Sequence, residues 1–309
     1  MAYLDEEIDV KEVLSPAEER FERLRHQAGY FLAPFVFFVV FFAPLDLKPE
    51  AHNLAAIISA IIVLWICESL PMPVTALIGA SLCILLKVAP AKEVLAPFAD
   101  PLMFLFIGSF MLARAIFLHD LDKRFAYGVL SLKWIGARPS RILFAFGAVT
   151  AFISGWISNT ATTAMMFAIG MSIIGFLFKQ EKETGIKINR NYATALMLIT
   201  SFAASIGGLA TPIGTPPNVI GLGFIRQILG AEISFFKWMM LGVPVVIILY
   251  FFLYFYLNKL APAGVKEIEG SAEMIQREKN KLGAWTRGQK STIIAFGVAI
   301  SLWIFSGLL

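Results

Sequence analysis

Two short stretches of this chain place oxygen-bearing side chains between strongly apolar runs. Residues 154–160 read Ser-Gly-Trp-Ile-Ser-Asn-Thr, and residues 207–218 read Gly-Gly-Leu-Ala-Thr-Pro-Ile-Gly-Thr-Pro-Pro-Asn. Polar atoms in an apolar environment are costly unless another polar group or a ligand pairs with them. Two such breaks in neighbouring segments predict a site that holds a cation and an anion between interrupted helices.

The first break combines side-chain oxygens with the start of a helix. Helix N-termini attract carboxylates and other anions, because their first N–H groups have no partner within the helix. Ser158 and Thr160 are both predicted to cap the following helix. The Asn159 amide can donate to a carboxylate and also accept through its oxygen. Ser154 lies one turn before Ser158, and its hydroxyl is predicted to face a cation held by oxygens.

The second break acts through its backbone. Pro216 and Pro217 have no N–H, so the carbonyls of Pro212 and Ile213 are expected to lose their usual helical partners. Glycines in the same stretch permit unusual backbone angles and close approach of neighbouring atoms. They are Gly207, Gly208 and Gly214. Neither break contains a carboxylate, and carbonyl and hydroxyl oxygens suit a hard monovalent cation such as Na⁺.

The composition predicts an all-α polytopic membrane protein. The chain is 58% hydrophobic and 16% charged, with a mean hydropathy of +0.74, whereas a soluble domain has about 25% charged residues. Its two cysteines lie in apolar segments, so neither a disulfide framework nor a transition-metal site is expected. The small net charge of +4 gives no reason to expect nucleic acid as a partner. Neither break contains the paired groups of an enzyme active site.

The elements that must position the breaks are a hairpin and an interrupted helix. The first break joins predicted hairpin arms over residues 142–157 and 161–178. The first arm is shorter than the ~20 residues that a spanning helix needs, which favours a re-entrant hairpin over two full crossings. The second break follows a helix predicted over residues 193–213 and precedes a short arm over residues 219–225.

Charge and capping patterns predict how the chain enters the membrane. Ser15-Pro16-Ala17-Glu18 is a capping-box signature and predicts the start of a cytoplasmic surface helix. With a cytoplasmic N-terminus, twenty of the 26 Lys and Arg residues fall on the cytoplasmic side and five outside. This bias predicts a multi-pass protein of the cell membrane. It does not separate a re-entrant hairpin from a fully crossing one, because both return the chain to the same side.

One internal repeat is predicted. Residues 64–70, Leu-Trp-Ile-Cys-Glu-Ser-Leu, align with residues 302–308, Leu-Trp-Ile-Phe-Ser-Gly-Leu. Because transporters are commonly built from inverted repeats, the chain is expected to be the first half of a longer inverted-repeat protein. The predicted division is an N-terminal amphipathic segment (1–28), a first transmembrane helix and outer loop (29–53), a first repeat (54–258) with hairpin 140–178 and broken helix 193–225, a cytoplasmic linker (259–290) and the first helix of a second repeat (291–309).

Three stretches carry a family resemblance. They are Ser158-Asn159-Thr160, the run from Ser205-Ile206-Gly207-Gly208 to Asn218, and Trp65-Ile66-Cys67-Glu68-Ser69-Leu70-Pro71 with Val74-Thr75-Ala76-Leu77. Together they resemble the divalent anion:sodium symporters of the INDY type, over residues 30–309. The resemblance implies two inverted repeats, each with a re-entrant hairpin and an unwound helix, in a homodimer embedded in the lipid bilayer. It also implies an elevator-type motion, with Na⁺ as coupling ion and no cofactor.

The resemblance further implies the substrates and the residues that bind them. Substrates are di- and tricarboxylates such as succinate, malate, fumarate or citrate, and in some members sulfate. Sodium is expected at Ser154, Ser158, Asn159 and the Gly214 backbone, and the substrate at Ser158, Asn159, Thr160 and Thr215. The expected supporting residues are Asn218, Pro216, Pro217, Gly207 and Gly208. The family's second Ser-Asn-Thr motif is absent from these 309 residues and is expected downstream of them.

Three functions remain open at this point. The first is a sodium-coupled dicarboxylate symporter. The second keeps the fold and is an anion exchanger, or a sulfate or citrate carrier. The third is a half-transporter that no longer transports and serves as a membrane scaffold or sensor.

Overall fold

The computed structural model describes residues 15–185, 187 and 189–305. Across those ranges it contains thirteen α-helices, a short 3₁₀ turn at Ala96–Ala99, and no strand. The chain divides into two compact units, one ending at Asp100 and the other starting at Pro101. Residues 1–14 of the predicted N-terminal segment lie outside the described residues, as do residues 306–308 of the predicted repeat match.

The described part of the first unit, residues 15–100, contains four α-helices: α1 (Pro16–Phe42), α2 (Pro49–Cys67), α3 (Met72–Leu85) and α4 (Ala91–Leu95). The predicted capping box is confirmed, because the Ser15 hydroxyl accepts from the Glu18 N–H and the Glu18 carboxylate accepts from the Ser15 N–H. The predicted surface helix is not separate from the first apolar segment, since α1 continues through both. Gly29 does not end this helix but lets Ser69 approach α1, where an added Cβ would lie 2.0 Å from the Ser69 hydroxyl.

The second unit contains both breaks, and its described residues form nine α-helices. They are α5 (Pro101–Leu118), α6 (Leu121–Leu130), α7 (Pro139–Ser154), α8 (Asn159–Thr184), α9 (Arg190–Gly207), α10 (Pro216–Leu229), α11 (Phe235–Leu260), α12 (Ser271–Lys281) and α13 (Arg287–Phe305). Its core lies where α7, α8 and α11 pack around α9. Phe146, Leu196 and Met166 are fully buried there. The Tyr192 hydroxyl at the start of α9 donates to the Pro139 carbonyl at the start of α7, at 2.8 Å.

Six helical stretches in the described part of the chain are long and apolar enough to cross a membrane. They are Pro16–Phe42, Pro49–Cys67, Ala91–Leu118, Asn159–Thr184, Phe235–Leu260 and Arg287–Phe305. Helix α7 is apolar but shorter than these six. The prediction of an all-α polytopic membrane protein is confirmed.

Both breaks begin earlier than the sequence pattern predicted. The hairpin arm ends at Ser154 rather than Ile157, and the next arm begins at Asn159 rather than Ala161 because Ser158 caps it. In the second break, the helix ends at the Gly-Gly pair 207–208 rather than at residue 213, since glycine disfavours a helix. It restarts at Pro216 rather than residue 219, because the first helical positions do not need an N–H.

Candidate functional site at two helix breaks

The two breaks lie together at one end of the second unit's core. An added Cβ on Gly207 at the end of α9 would lie 2.0 Å from the Ala151 carbonyl oxygen of α7, so the two backbones touch there. The Thr211 hydroxyl in the second break donates to the Gly155 carbonyl in the first. The same hydroxyl accepts from the Gly214 N–H at 3.1 Å. Thr211 therefore joins the two breaks into one site.

Three oxygens from three helices converge at Ser154. This side chain is fully buried, and its hydroxyl oxygen lies 2.8 Å from the Asn159 amide oxygen and 2.7 Å from the Ala204 carbonyl oxygen. A hydroxyl has one proton and cannot donate fully to both acceptors. Turning the Asn159 amide over would instead place its NH₂ group against Ser154. Clustered hydroxyl, amide and carbonyl oxygens are the ligand types that a hard cation prefers.

The start of α8 supplies the groups that suit an anion. The Ser158 hydroxyl accepts from the Ala161 N–H at 3.3 Å, which confirms Ser158 as the N-cap. Thr160, the other predicted cap, is exposed and lies inside the first turn. The N–H groups of Asn159 and Thr160 have no acceptor within the helix, because they occupy its first two positions. This helix end is therefore a positively polarised surface beside the oxygen cluster.

The start of α10 contributes a second hydroxyl at the exposed side of the breaks. Thr215 is the residue before α10, is half-buried, and has an extended backbone with φ −153° and ψ 143°. Its hydroxyl forms no capping bond to α10, a helix that the structure describes in full. The preceding residue, Gly214, is buried. The site therefore has a buried side, with Ser154 and Gly214, and a more exposed side, with Thr160 and Thr215.

The glycines of the second break allow close approach and not unusual backbone angles. None of the three described glycines, Gly207, Gly208 and Gly214, has a positive φ angle. Gly208 has φ −57° and ψ −20°. The expectation of special angles is therefore wrong. An added Cβ on Gly208 would lie 2.4 Å from the Asn159 amide oxygen, and one on Gly214 would lie 2.5 Å from the Gly208 carbonyl. A side chain at position 214 would therefore clash with backbone, and one at position 208 would displace the Asn159 amide.

Asn218 holds the second break together from within. Its side chain is 4% exposed, and its amide nitrogen donates to the carbonyls of Gly208 and Thr211, both at 2.8 Å. Pro216 and Pro217 are exposed and occupy the first positions of α10. Asn218 therefore ties together two carbonyls of the unwound segment, of which the Thr211 carbonyl also accepts from the Gly214 N–H at 3.3 Å.

Helix α11 contacts the site through residues that the sequence analysis did not select. The Trp238 indole N–H donates to the Leu209 carbonyl at 3.1 Å. An added Cβ on Gly242 would lie 2.6 Å from the same carbonyl oxygen. The spacing of Trp238 and Gly242, one helical turn apart, was the only signal in the sequence. The carbonyl of Ala204 and the linking role of Thr211 were also missed.

None of the described residues that form the two breaks has a charged side chain. Within the ranges that the structure describes, no group of three or more His, Cys, Asp and Glu side chains is placed to hold a metal ion. The polar character of the site comes from hydroxyls, amides, carbonyls and helix ends. Such neutral dipoles can bind a cation and an anion side by side without a fixed charge to favour either one.

The chain is similar in sequence to a known family of membrane transporters. A family model described as "Sodium:sulfate symporter transmembrane region" matches residues 25–309. The sodium-dependent dicarboxylate transporter SdcS of Staphylococcus aureus (strain bovine RF122 / ET3-1) is 35% identical over 280 residues, which cover 89% of this chain and 54% of that protein. The protein of the same name from Staphylococcus saprophyticus is 34% identical over 280 residues, with the same shares covered. The chain spans about half the length of these curated relatives.

The family match covers both breaks and nearly the whole chain. The family and its relatives are sodium-coupled transporters and not enzymes, and Na⁺ is their coupling ion. The resemblance to the divalent anion:sodium symporters is thereby confirmed. This chain belongs to the sodium:sulfate symporter family of membrane transporters.

Proposed function

We propose that the native protein containing this chain imports dicarboxylates together with Na⁺. The observation that carries the proposal is the buried oxygen cluster at Ser154, which lies directly against the open N-terminus of α8. A cation and a carboxylate bound there would be neighbours. A dicarboxylate is proposed over other anions because the relatives are named sodium-dependent dicarboxylate transporters.

The buried part of the site is proposed to bind sodium. Ser154, Ser158 and Asn159 supply side-chain oxygens, and the Gly214 backbone supplies a carbonyl. The burial of Ser154 and Gly214 supports this assignment, because it keeps water away from an ion that must be held by few ligands. Gly207 and Gly208 support the site by letting α9 approach α7 and the Asn159 amide.

The exposed part of the site is proposed to bind the substrate. Ser158, Asn159, Thr160 and Thr215 line it, and the first N–H groups of α8 point to it. Exposure of Thr160 and partial exposure of Thr215 support this assignment, because a substrate must arrive from solvent. Asn218, with Pro216 and Pro217, fixes the start of α10 and so the position of Thr215.

The Asn159 amide is proposed to couple the two ligands. An amide has one oxygen and one NH₂ group on opposite sides. When the oxygen faces Na⁺ beside Ser154, the NH₂ group must face away from it and can donate to a carboxylate. Sodium thereby fixes the orientation that the substrate needs, and the substrate favours the orientation that sodium needs. Such coupling is reciprocal in its binding free energies.

The larger assembly is also a proposal. The native protein is inferred to be a homodimer, as the family resemblance implies. Its N-terminus is inferred to lie in the cytoplasm, as the Lys and Arg distribution predicts. Transport is inferred to occur by an elevator-type motion of the unit that contains both breaks. The compact packing of α7, α8 and α9 around one core supports such a rigid moving body.

The test is uptake into vesicles that contain the purified native protein. Labelled succinate should accumulate when Na⁺ is imposed outside, and should not when choline replaces it. Accumulation that requires internal dicarboxylate and ignores Na⁺ would instead identify an exchanger. Competition by sulfate or citrate, but not by malate or fumarate, would identify a sulfate or citrate carrier. Binding without any uptake would support the half-transporter hypothesis.

A further inference from the structure

Thr162 differs from every other buried threonine in the described chain. The six threonines with the least exposure are Thr75, Thr150, Thr162, Thr200, Thr211 and Thr292. Five of these hydroxyls donate to a backbone carbonyl. The hydroxyl of Thr162 has no hydrogen-bond partner among the described residues, although its side chain is fully buried.

Thr162 lies in the first turn of α8, beside the first break. Its backbone N–H donates to the Ser158 carbonyl at 3.0 Å, and it follows Asn159 by three positions. Residues three and four apart share one face of a helix, and helical side chains lean toward the N-terminus. The Thr162 side chain therefore lies over the turn that carries Ser158 and Asn159. Its complete burial, unlike the exposed Thr160, places it on the core side of that turn.

An unpartnered hydroxyl at this position needs a reason. A helical threonine normally donates to the carbonyl four residues earlier, as Thr150 does to Phe146 at 2.7 Å. Burying a hydroxyl without a partner is costly, and valine would occupy the same space without that cost. Oxygens that share a cation stand farther apart than oxygens that share a proton. The Thr162 hydroxyl oxygen, which has no partner in the described part of the chain and lies one turn after Asn159, fits an oxygen that shares a cation.

We propose that the Thr162 hydroxyl is a further oxygen ligand of the sodium ion held by Ser154 and Asn159. The proposal rests on the sodium coupling proposed above and adds a residue from the first turn of α8 to that site. It explains why a buried polar atom is retained beside the break. It also gives the ion a ligand that does not contact the substrate, since Thr162 lies behind the exposed groups.

The test compares Thr162→Val with Thr162→Ser in the native protein. Thermal unfolding is followed during a NaCl titration, with choline chloride holding the ionic strength constant. Thr162→Val should need about tenfold more Na⁺ for half of the sodium-dependent stabilisation, because one oxygen ligand to a charge is lost. Its stability without Na⁺ should equal or exceed that of the wild type, since no hydrogen bond is removed. Thr162→Ser should keep the wild-type sodium dependence.

Thr150→Val is the matched control, because it removes an equally buried hydroxyl that does have a partner. It should lower the stability without Na⁺ and leave the half-saturating Na⁺ concentration unchanged. Should Thr162→Val fail to accumulate, Thr162→Ala and Thr150→Ala replace the pair, with the same expected contrast in sodium dependence. Wild-type sodium dependence in the variant without the hydroxyl, or its loss in Thr162→Ser, would overturn this assignment alone. No sodium response in the wild type would overturn the proposed sodium coupling as well.

Discussion

The two breaks reach the same place in the fold by different means. The first spans residues 155–158 and is short, and its contacts come from the side chains of Ser154, Ser158 and Asn159. The second spans residues 208–215, is twice as long, and is shaped by glycines and by the Asn218 side chain. Under the proposed function, the first break carries most of the ligand chemistry. The second gives that chemistry the space and the backbone frame it needs.

Changes in the first break should therefore affect transport more than folding. Asn159→Ala is expected to abolish sodium-driven uptake, because it removes the one amide that faces both proposed ligands. The fold should survive, since Asn159 is only half-buried and α8 keeps its Ser158 cap. Uptake is measured in vesicles after matching the amount of inserted protein. Normal uptake by a well-inserted variant would count decisively against the site.

Changes in the glycines of the second break should affect folding first. Gly207→Ala places a Cβ 2.0 Å from the Ala151 carbonyl, so the contact between α7 and α9 must open. We expect a loss of stability of about 3 kcal/mol, at the upper end for overpacking. Gly175→Ala is the control, because nothing lies within 4 Å of its added Cβ. Equal losses of stability in the two variants would contradict the packing role assigned to Gly207.

Thr215→Val sharpens the comparison, because this residue belongs to the second break yet is assigned to the substrate. Valine keeps the branched shape and removes the hydroxyl. Substrate affinity should fall about ten- to a hundredfold, since a hydrogen bond to a charged group contributes roughly 1.5–3 kcal/mol. Sodium affinity without substrate should stay unchanged. An equal fall in both affinities, or no change in either, would make the assignment of Thr215 wrong.

The smallest effect is expected when the hydrogen bond from α11 to the second break is removed. Trp238→Phe removes the 3.1 Å hydrogen bond to the Leu209 carbonyl but keeps an aromatic ring. The expected loss of stability is about 0.5–1.5 kcal/mol, with substrate and sodium affinities close to the wild type. Thermal unfolding and binding are measured on the same preparation. A large loss of sodium affinity would show that α11 takes part in the ligand chemistry itself.

Local signals in the sequence predicted the parts of the fold and of the site that depend on neighbours in the chain. The capping box at Ser15, the cap at Ser158 and the positions of both breaks follow from residue types within a few positions of one another. The helix ends at the second break were misplaced because the Gly-Gly pair was read as part of the preceding helix and the Pro-Pro pair as part of the break. Their roles as a helix stop and a helix start were missed.

Long-range contacts could not be read in the same way. Thr211 meets the Gly155 carbonyl across 56 positions, Ser154 meets the Ala204 carbonyl across 50, and Trp238 meets Leu209 across 29. Nothing in the local pattern of hydrophobic and polar residues specifies these pairs. The need for Gly208 was correctly predicted as close approach, but its neighbour, the Asn159 amide, appears only in the folded chain. The roles of the site residues toward sodium and substrate stay predictions.

The most direct test of a paired site is whether its two ligands strengthen each other's binding. Succinate binding to the purified native protein is measured by calorimetry without Na⁺ and at saturating Na⁺, and Na⁺ binding is measured with and without succinate. If the two breaks hold both ligands through Asn159, each ligand should raise the affinity of the other by the same factor. Succinate affinity that does not depend on Na⁺ would contradict the account.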